Sequence, residues 1–220
     1  MSAEVYREAY KRSIVNIAAL AAKGEPKALK AALHEGLGSG LTVSQIKEVL
    51  VHLYAYCGFP RSVRGLQTFM EVIEDRKSKG LRDQEGREAS PVDRSESKYA
   101  RGRNTLAHLV GSPSGASVAG YGKFAPIIDT LLKEHLFADL FDRDVLTFAE
   151  RELVTVSVLS TLWNVEPMLR SHFSICLNLG LTPNQMKDFV RNIKPSVGRR
   201  KAKTTSDILN EVLVSRQNKK

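Results

Sequence analysis

The chain has 220 residues, of which 42% are hydrophobic and 26% charged, with a formal net charge of +9. That length supports one large domain or two small ones with ample core, and no apolar run reaches the ~18 residues that a membrane span needs. Its two cysteines, Cys57 and Cys176, stand far apart and outside any C-x-x-C pair, which excludes a disulfide scaffold and argues against a zinc site. The basic excess gathers near the end, in "KPSVGRRKAK" and "RQNKK", and elsewhere both signs mix as on solvated helix faces. No aromatic stacking signature accompanies it, so the charge argues weakly for nucleic acid. The opening "MSAEVYREAYKRS" is charged and amphipathic, without the apolar stretch of a secretory signal, so a cytoplasmic location is expected.

In chain order, Glu4–Lys23, Pro26–Leu37, Val43–Cys57 and Arg61–Lys79 carry apolar residues at helical spacing, with Gly or Pro between them. The polar stretch "RKSKGLRDQEGREASPVDRSESK" follows and reads as a linker or mobile loop. A short helix is expected around Tyr99–Val110. Next comes "GSPSGASVAGYGK", a loop that lacks the residue order of a phosphate-binding motif. Helices resume over about Ala125–Leu140, Phe148–Trp163, Pro167–Leu179, Pro183–Ile193 and Thr205–Arg216. No segment reads as a strand, so the expected class is all-α.

Two stretches of the chain resemble each other. "EPKALKAALHEGLGSGLTVSQIKEVL" parallels "EPMLRSHFSICLNLGLTPNQMKDFV", with Gly180 standing 140 residues after Gly40 (180 − 40 = 140). Thr42 and Thr182 occupy N-cap positions with Gln45 and Gln185 three residues on, the spacing of a capping box. The economical reading is a helical bundle of two tandem repeats: residues 1–80, a polar linker at 81–104, and residues 105–220 with a basic C-terminal tail.

The two halves differ in where they keep polar residues. Glu152 interrupts an apolar stripe of Phe148, Val156, Leu159 and Trp163, and His172 sits in a stripe of Met168, Ile175, Cys176 and Leu179. A lone histidine on an apolar face is commonly a hydrogen-bonded core residue. Two ionisable groups in successive stripes point instead to a shared polar pocket, because an unpaired buried carboxylate costs several kcal/mol. The corresponding positions of the first half hold Arg12 and Ala32. Conversely, that half aligns Gln45, Glu48, His52 and Tyr56 along one helix face, where the second half has no His or Tyr. Glu48 with His52 reads plainly as a surface pair, whereas complementary losses suggest one composite pocket. His34, His108 and His135 read as surface residues, and Cys176 as a small core residue or a tuned thiol.

At these residues the chain resembles the carboxymuconolactone decarboxylase family, which includes alkyl hydroperoxidase D-like proteins. The likeness is clearest in "LFDRDVLTFAERELVTVSVLSTLWNVEPMLRSHFSICLNLGLTPNQMKDFV", and "GLTVSQIKEVLVHLYAYCGFPRS" is similar to the family's following segment, with Tyr56, Gly58 and Pro60 in its closing pattern. The resemblance implies an all-helical fold, symmetric oligomers, and Glu152 and His172 as the family's acid and histidine. The hydroperoxidase branch places a C-x-x-C pair before that histidine, and Val165 and Met168 stand there instead.

The expected chemistry is therefore cofactor-free and metal-free acid–base work, decarboxylation of a small carboxylated lactone or related acid. In this reading His172 is the proton donor and Glu152 its orienting partner. Arg151, His52, Tyr56 and Cys176 are the candidates for substrate contact, with Arg143 and Arg170 as further carboxylate clamps. Two alternatives stand beside it: thiol redox chemistry at Cys176, and a non-catalytic oligomeric scaffold. The expected partners are the small acid and further copies of the chain, as a dimer or trimer, with neither membrane nor nucleic acid.

Overall fold

The computed structural model describes residues 3–112 and 120–218, and these contain helices and connecting segments but no strand. The elements are α1 (Ala3–Lys23), α2 (Pro26–Gly38), α3 (Val43–His52), α4 (Tyr54–Cys57), α5 (Phe59–Ser78), α6 (Lys98–Val110), α7 (Gly120–Phe124) and α8 (Pro126–Thr130). A π-helix, π1 (Leu131–Leu140), continues α8, and α9 (Phe148–Leu159), α10 (Glu166–Asn178), α11 (Pro183–Val197) and α12 (Arg199–Gln217) follow. The all-α expectation is met. Most of the Gly-Ser loop expected before α7 lies outside the described residues.

Local chemistry sets the starts of the helices. Thr42, Thr147 and Thr182 each close a capping box with Gln45, Glu150 and Gln185, satisfying backbone N–H groups that a helix start leaves unpaired. Starts also recur at a constant interval: α2 and α10 begin at 26 and 166, α3 and α11 at 43 and 183, α5 and α12 at 59 and 199. Gly40 and Gly180, at φ +92° and +88°, close α2 and α10 in the left-handed conformation that glycine adopts without strain.

Three expected boundaries move. The helix from Val43 breaks at Leu53 into α3 and α4. The helix from Phe148 stops at Leu159, leaving Trp163 56% exposed, with the Arg200 guanidinium and the Lys201 ammonium over its ring. Met168 is likewise 52% exposed, so neither residue belongs to a buried stripe. The basic tail is built into α11 and α12, and α12 packs on α10 and α11.

Apolar side chains of both halves join in one core, from Ile14, Ile17 and Leu33 through Ile46 and Leu50 to Val154, Val156, Phe173 and Met186. Helix α9 lies inside it: every residue from Arg151 to Leu159 is buried. It packs against α1, α3, α4 and α10. A smaller cluster of Leu109, Leu136, Phe137, Leu140, Phe141 and Ile175 joins α6 and π1 to α10.

The polar stretch after α5 is irregular but tied down. The N–H groups of Val43 and Ser44, at the start of α3, donate to the carbonyls of Gln84 and Glu85. Arg76 clasps Asp83 with three hydrogen bonds, and the Ser90 N–H and hydroxyl both donate to Asp144. These bonds span α3 and the segment that leads into α9.

Helices α6 and π1 meet at Gly102, where a Cβ would stand 1.7 Å from the Lys133 carbonyl oxygen. Gly102→Ala should therefore force the crossing apart and lower stability by about 1–3 kcal/mol, the usual cost of overpacking. Denaturant midpoints of the two proteins measure this, and an unchanged midpoint would refute the close crossing.

Candidate active site

Because α9 is buried on every side from Arg151 onward, the two charges in that stretch need partners inside the protein. Arg151 and Glu152 are both fully buried and diverge to opposite neighbours. Arg151 reaches the first half of the chain and Glu152 reaches α10.

The Arg151 side is a network of charges and a histidine. Arg151 Nη2 donates to Glu48 Oε1 at 2.7 Å and also to the Arg143 carbonyl. Glu48, only 2% exposed, is clasped from outside by Arg143, whose Nε donates to both carboxylate oxygens at 3.0 and 3.1 Å and whose Nη2 donates to Oε2 at 2.9 Å. One carboxylate thus faces two guanidiniums. Its outer side borders a cavity of about 240 Å³ that Ser44, Lys47, Glu88 and Arg143 help to line.

Arg151 Nη1 donates to His52 Nδ1 at 3.2 Å. A guanidinium only donates, so Nδ1 accepts and the proton of the neutral ring sits on Nε2. That N–H points to Thr155 Oγ1 at 3.1 Å, and the Thr155 hydroxyl donates in turn to the Arg151 carbonyl at 3.0 Å. The ring of bonds returns to its start. Burial first, then the positive charge of Arg151, then His172, hold His52 well below the usual imidazole range. It is a neutral spacer that fixes Arg151 and Thr155.

On the other side, His172 Nδ1 donates to Glu152 Oε2 at 2.7 Å. His172 is 14% exposed and Glu152 not at all, so the imidazole lies between the buried carboxylate and solvent. Nδ1 is committed to Glu152, and Nε2 has no hydrogen-bond partner among the described residues. Glu152 Oε1 is buried and unpartnered.

Tyr56 joins the two sides. Its ring stands edge-to-face on His172, with centroids 5.8 Å apart, and 5.5 Å from the His52 ring. The buried hydroxyl comes near Thr155 without a well-directed hydrogen bond and has no partner. Burial, and then the Glu152 charge, push its ionisation far above the ordinary phenol range, so it stays an O–H donor at any accessible pH.

Burial raises both thiols as well. Cys176 is fully buried, and burial followed by the Glu152 charge raises it well above a free thiol. Cys57 is pushed up to about 11 by burial. Among the described residues no cluster of three or more His, Cys, Asp or Glu side chains could hold a metal ion.

The structure therefore brings together Glu48, His52, Tyr56, Glu152 and His172, with buried Cys176 near enough to feel the Glu152 charge. It also corrects several expectations. Glu48 and His52 are not a surface pair: both are buried, because α3 turns that face onto α9. Arg151 is no free carboxylate clamp, being fully buried and engaged by Glu48 and His52. Arg170 is half-exposed and paired with Glu211 on the surface. Gln45 leaves the line and donates to the Tyr10 hydroxyl at 2.8 Å. Thr155 is not among the sequence candidates; a hydroxyl one turn after Arg151 in a mainly apolar run is the available signal.

Residues 8–69 match the model of the carboxymuconolactone decarboxylase family. The match takes in α2, α3 and α4, and hence Glu48, His52 and Tyr56, whereas Glu152 and His172 lie outside it. No curated protein matches the chain. No helix among the described residues is long and apolar enough to cross a membrane.

Two outcomes are expected from this geometry. Glu48→Gln leaves Arg151 buried without its counter-charge and should cost about 3–5 kcal/mol in denaturant unfolding, against under 1 kcal/mol for a surface pair. His52, neutral when folded and with an ordinary value of 6.5 when unfolded, binds a proton more readily in the unfolded chain. Its contribution is complete above pH 6.5 and is lost as pH falls below it, at about 1.4 kcal/mol per pH unit. Unfolding free energies between pH 7 and 5 should show that slope, and His52→Gln should flatten it.

Proposed function

We propose that this carboxymuconolactone decarboxylase-like protein performs cofactor-free acid–base chemistry on a small carboxylated lactone or related acid. In this reading the chain is two degenerate copies of one helical unit, which share a single composite site. The family match over residues 8–69 supports the family, and the constant interval between helix starts supports the repeat.

One observation carries the chemistry: a fully buried carboxylate, Glu152, holds His172 by Nδ1 at 2.7 Å and leaves Nε2 toward the solvent side. A carboxylate fixed on one imidazole nitrogen sets the tautomer and the orientation of the ring, which makes the other nitrogen a positioned proton donor or acceptor. Loss of CO₂ leaves an enolate-like anion whose carbon must be protonated, and His172 Nε2–H is placed to supply that proton. Arg151 and Arg143 both serve Glu48, so the substrate carboxylate pairs with the imidazolium itself. Thiol redox chemistry is disfavoured because Cys176 is buried and held protonated.

Self-association is part of this proposal, as a dimer or trimer, with the protein working in the cytoplasm. Tyr121, Phe124, Ile127 and Leu131 form an apolar surface over α7, α8 and the start of π1, with Phe124 93% exposed. Apolar exposure on that scale favours a protein contact.

The test is CO₂ release from a panel of small carboxylated lactones and β-keto acids. His172→Asn and Glu152→Gln should each lower kcat/KM by about 10²–10⁴, the range for a positioned acid–base group, while Cys176→Ala should not. Release that survives His172→Asn, or that none of the panel gives, defeats the decarboxylase reading. Peroxide turnover lost with Cys176→Ala would favour thiol chemistry in its place.

A further inference from the structure

Two side-chain oxygens at this site are buried and without hydrogen-bond partners, Tyr56 Oη and Glu152 Oε1. An unpaired buried oxygen is costly, and two beside one functional pair need a common explanation. They are neighbours through His172, which bonds Glu152 Oε2 and meets the Tyr56 ring edge-to-face. They do not bond each other, although one is a donor and the other an acceptor. A single group that completes both must accept from the phenol and donate to the carboxylate.

We propose that Tyr56 Oη and Glu152 Oε1 form a subsite for a neutral O–H group, the enol or alcohol hydroxyl of a bound substrate, or a water in its absence. The inference rests on the acid–base reading and adds the substrate's functional group to it. A second carboxylate is the wrong occupant, since it would face the Glu152 carboxylate, and both terminal nitrogens of Arg151 are already bonded, to His52 and Glu48. An ammonium is also wrong, because it cannot accept from Tyr56. An O–H group satisfies both ends.

Tyr56 keeps its proton because burial and the Glu152 charge both oppose the phenolate. The Thr155 hydroxyl is held by His52 Nε2 and the Arg151 carbonyl, so it does not compete well for the Tyr56 proton. Residues from both halves thus define the two ends of the subsite: α4 brings the donor and α9 the acceptor.

The test uses 4-fluorophenol as the neutral hydroxyl probe and 4-fluorobenzoate as the anionic one, followed by fluorine NMR on the full chain. Saturable binding of the phenol is expected, weakened about five- to tenfold by Tyr56→Phe, which removes a single hydrogen bond. Glu152→Gln, whose amide cannot reproduce both acceptor roles, should weaken it by at least as much. Tyr56→Phe keeps the ring, and melting curves of both variants check that each is folded.

No saturable phenol binding, preference for the benzoate, or equal affinity in Tyr56→Phe each overturns the inference, and in the first case at most a water occupies the subsite. The downfield proton resonance of His172 Nδ1–H separates this failure from failure of the acid–base reading. It should persist in Tyr56→Phe and disappear in Glu152→Gln. If it is insensitive to Glu152→Gln, the acid–base pair itself is wrong.

Discussion

The structure depends on the two adjacent charges of α9. From Arg151 onward this helix, packed on α1, α3, α4 and α10, has no face left for solvent, yet it carries Arg151 and Glu152 in its second turn. Desolvating either ion costs several kcal/mol even after relaxation, so the fold stands only if both find partners inside. They find them in opposite directions: Arg151 in Glu48 and His52 from α3, Glu152 in His172 from α10. The same pairing that makes the core tolerable joins the first half of the chain to the second.

The division of labour follows from that geometry. Around Glu48 the charges are largely closed on themselves, with two guanidiniums, a neutral imidazole and a hydroxyl giving and accepting in a ring that leaves Arg151 Nε buried without a partner. Such an arrangement holds a shape and has little freedom to exchange protons. Around Glu152 the arrangement is open: one carboxylate oxygen, one imidazole nitrogen and one phenol lack partners. Unsatisfied polar atoms destabilise a fold, and they persist where a ligand or water completes them. The closed network therefore positions, and the open one is where chemistry belongs.

The irregular strap from residue 81 onward strengthens this arrangement. Its carbonyls receive the first N–H groups of α3, and its Ser90 reaches Asp144 just ahead of α9. It therefore fixes the two helices that carry Glu48, His52 and Arg151. A segment without regular structure and with few apolar residues does this largely through backbone groups, which every sequence possesses. Hydrophobic patterning is silent about such bonds, so the stretch read as a linker.

Sequence alone determined the helices, because spacing of apolar residues, Gly and Pro punctuation and Thr–Gln caps act over a few residues. It also pointed to a shared polar pocket for Glu152 and His172, since both interrupt apolar stripes and a buried carboxylate needs a partner. The family likeness was legible too, although the matched segment is the first half rather than the second, where the likeness looked clearest. Only the tertiary structure decided which face of α3 turns inward. Glu48 and His52 at helical spacing look the same whether they face water or α9, and the choice depends on contacts about one hundred residues away, at Arg143, Arg151 and Thr155. The tertiary structure likewise turned Arg151 from a free clamp into a buried counter-charge. Charge and spacing are local properties, whereas desolvation is set by everything that packs around a group.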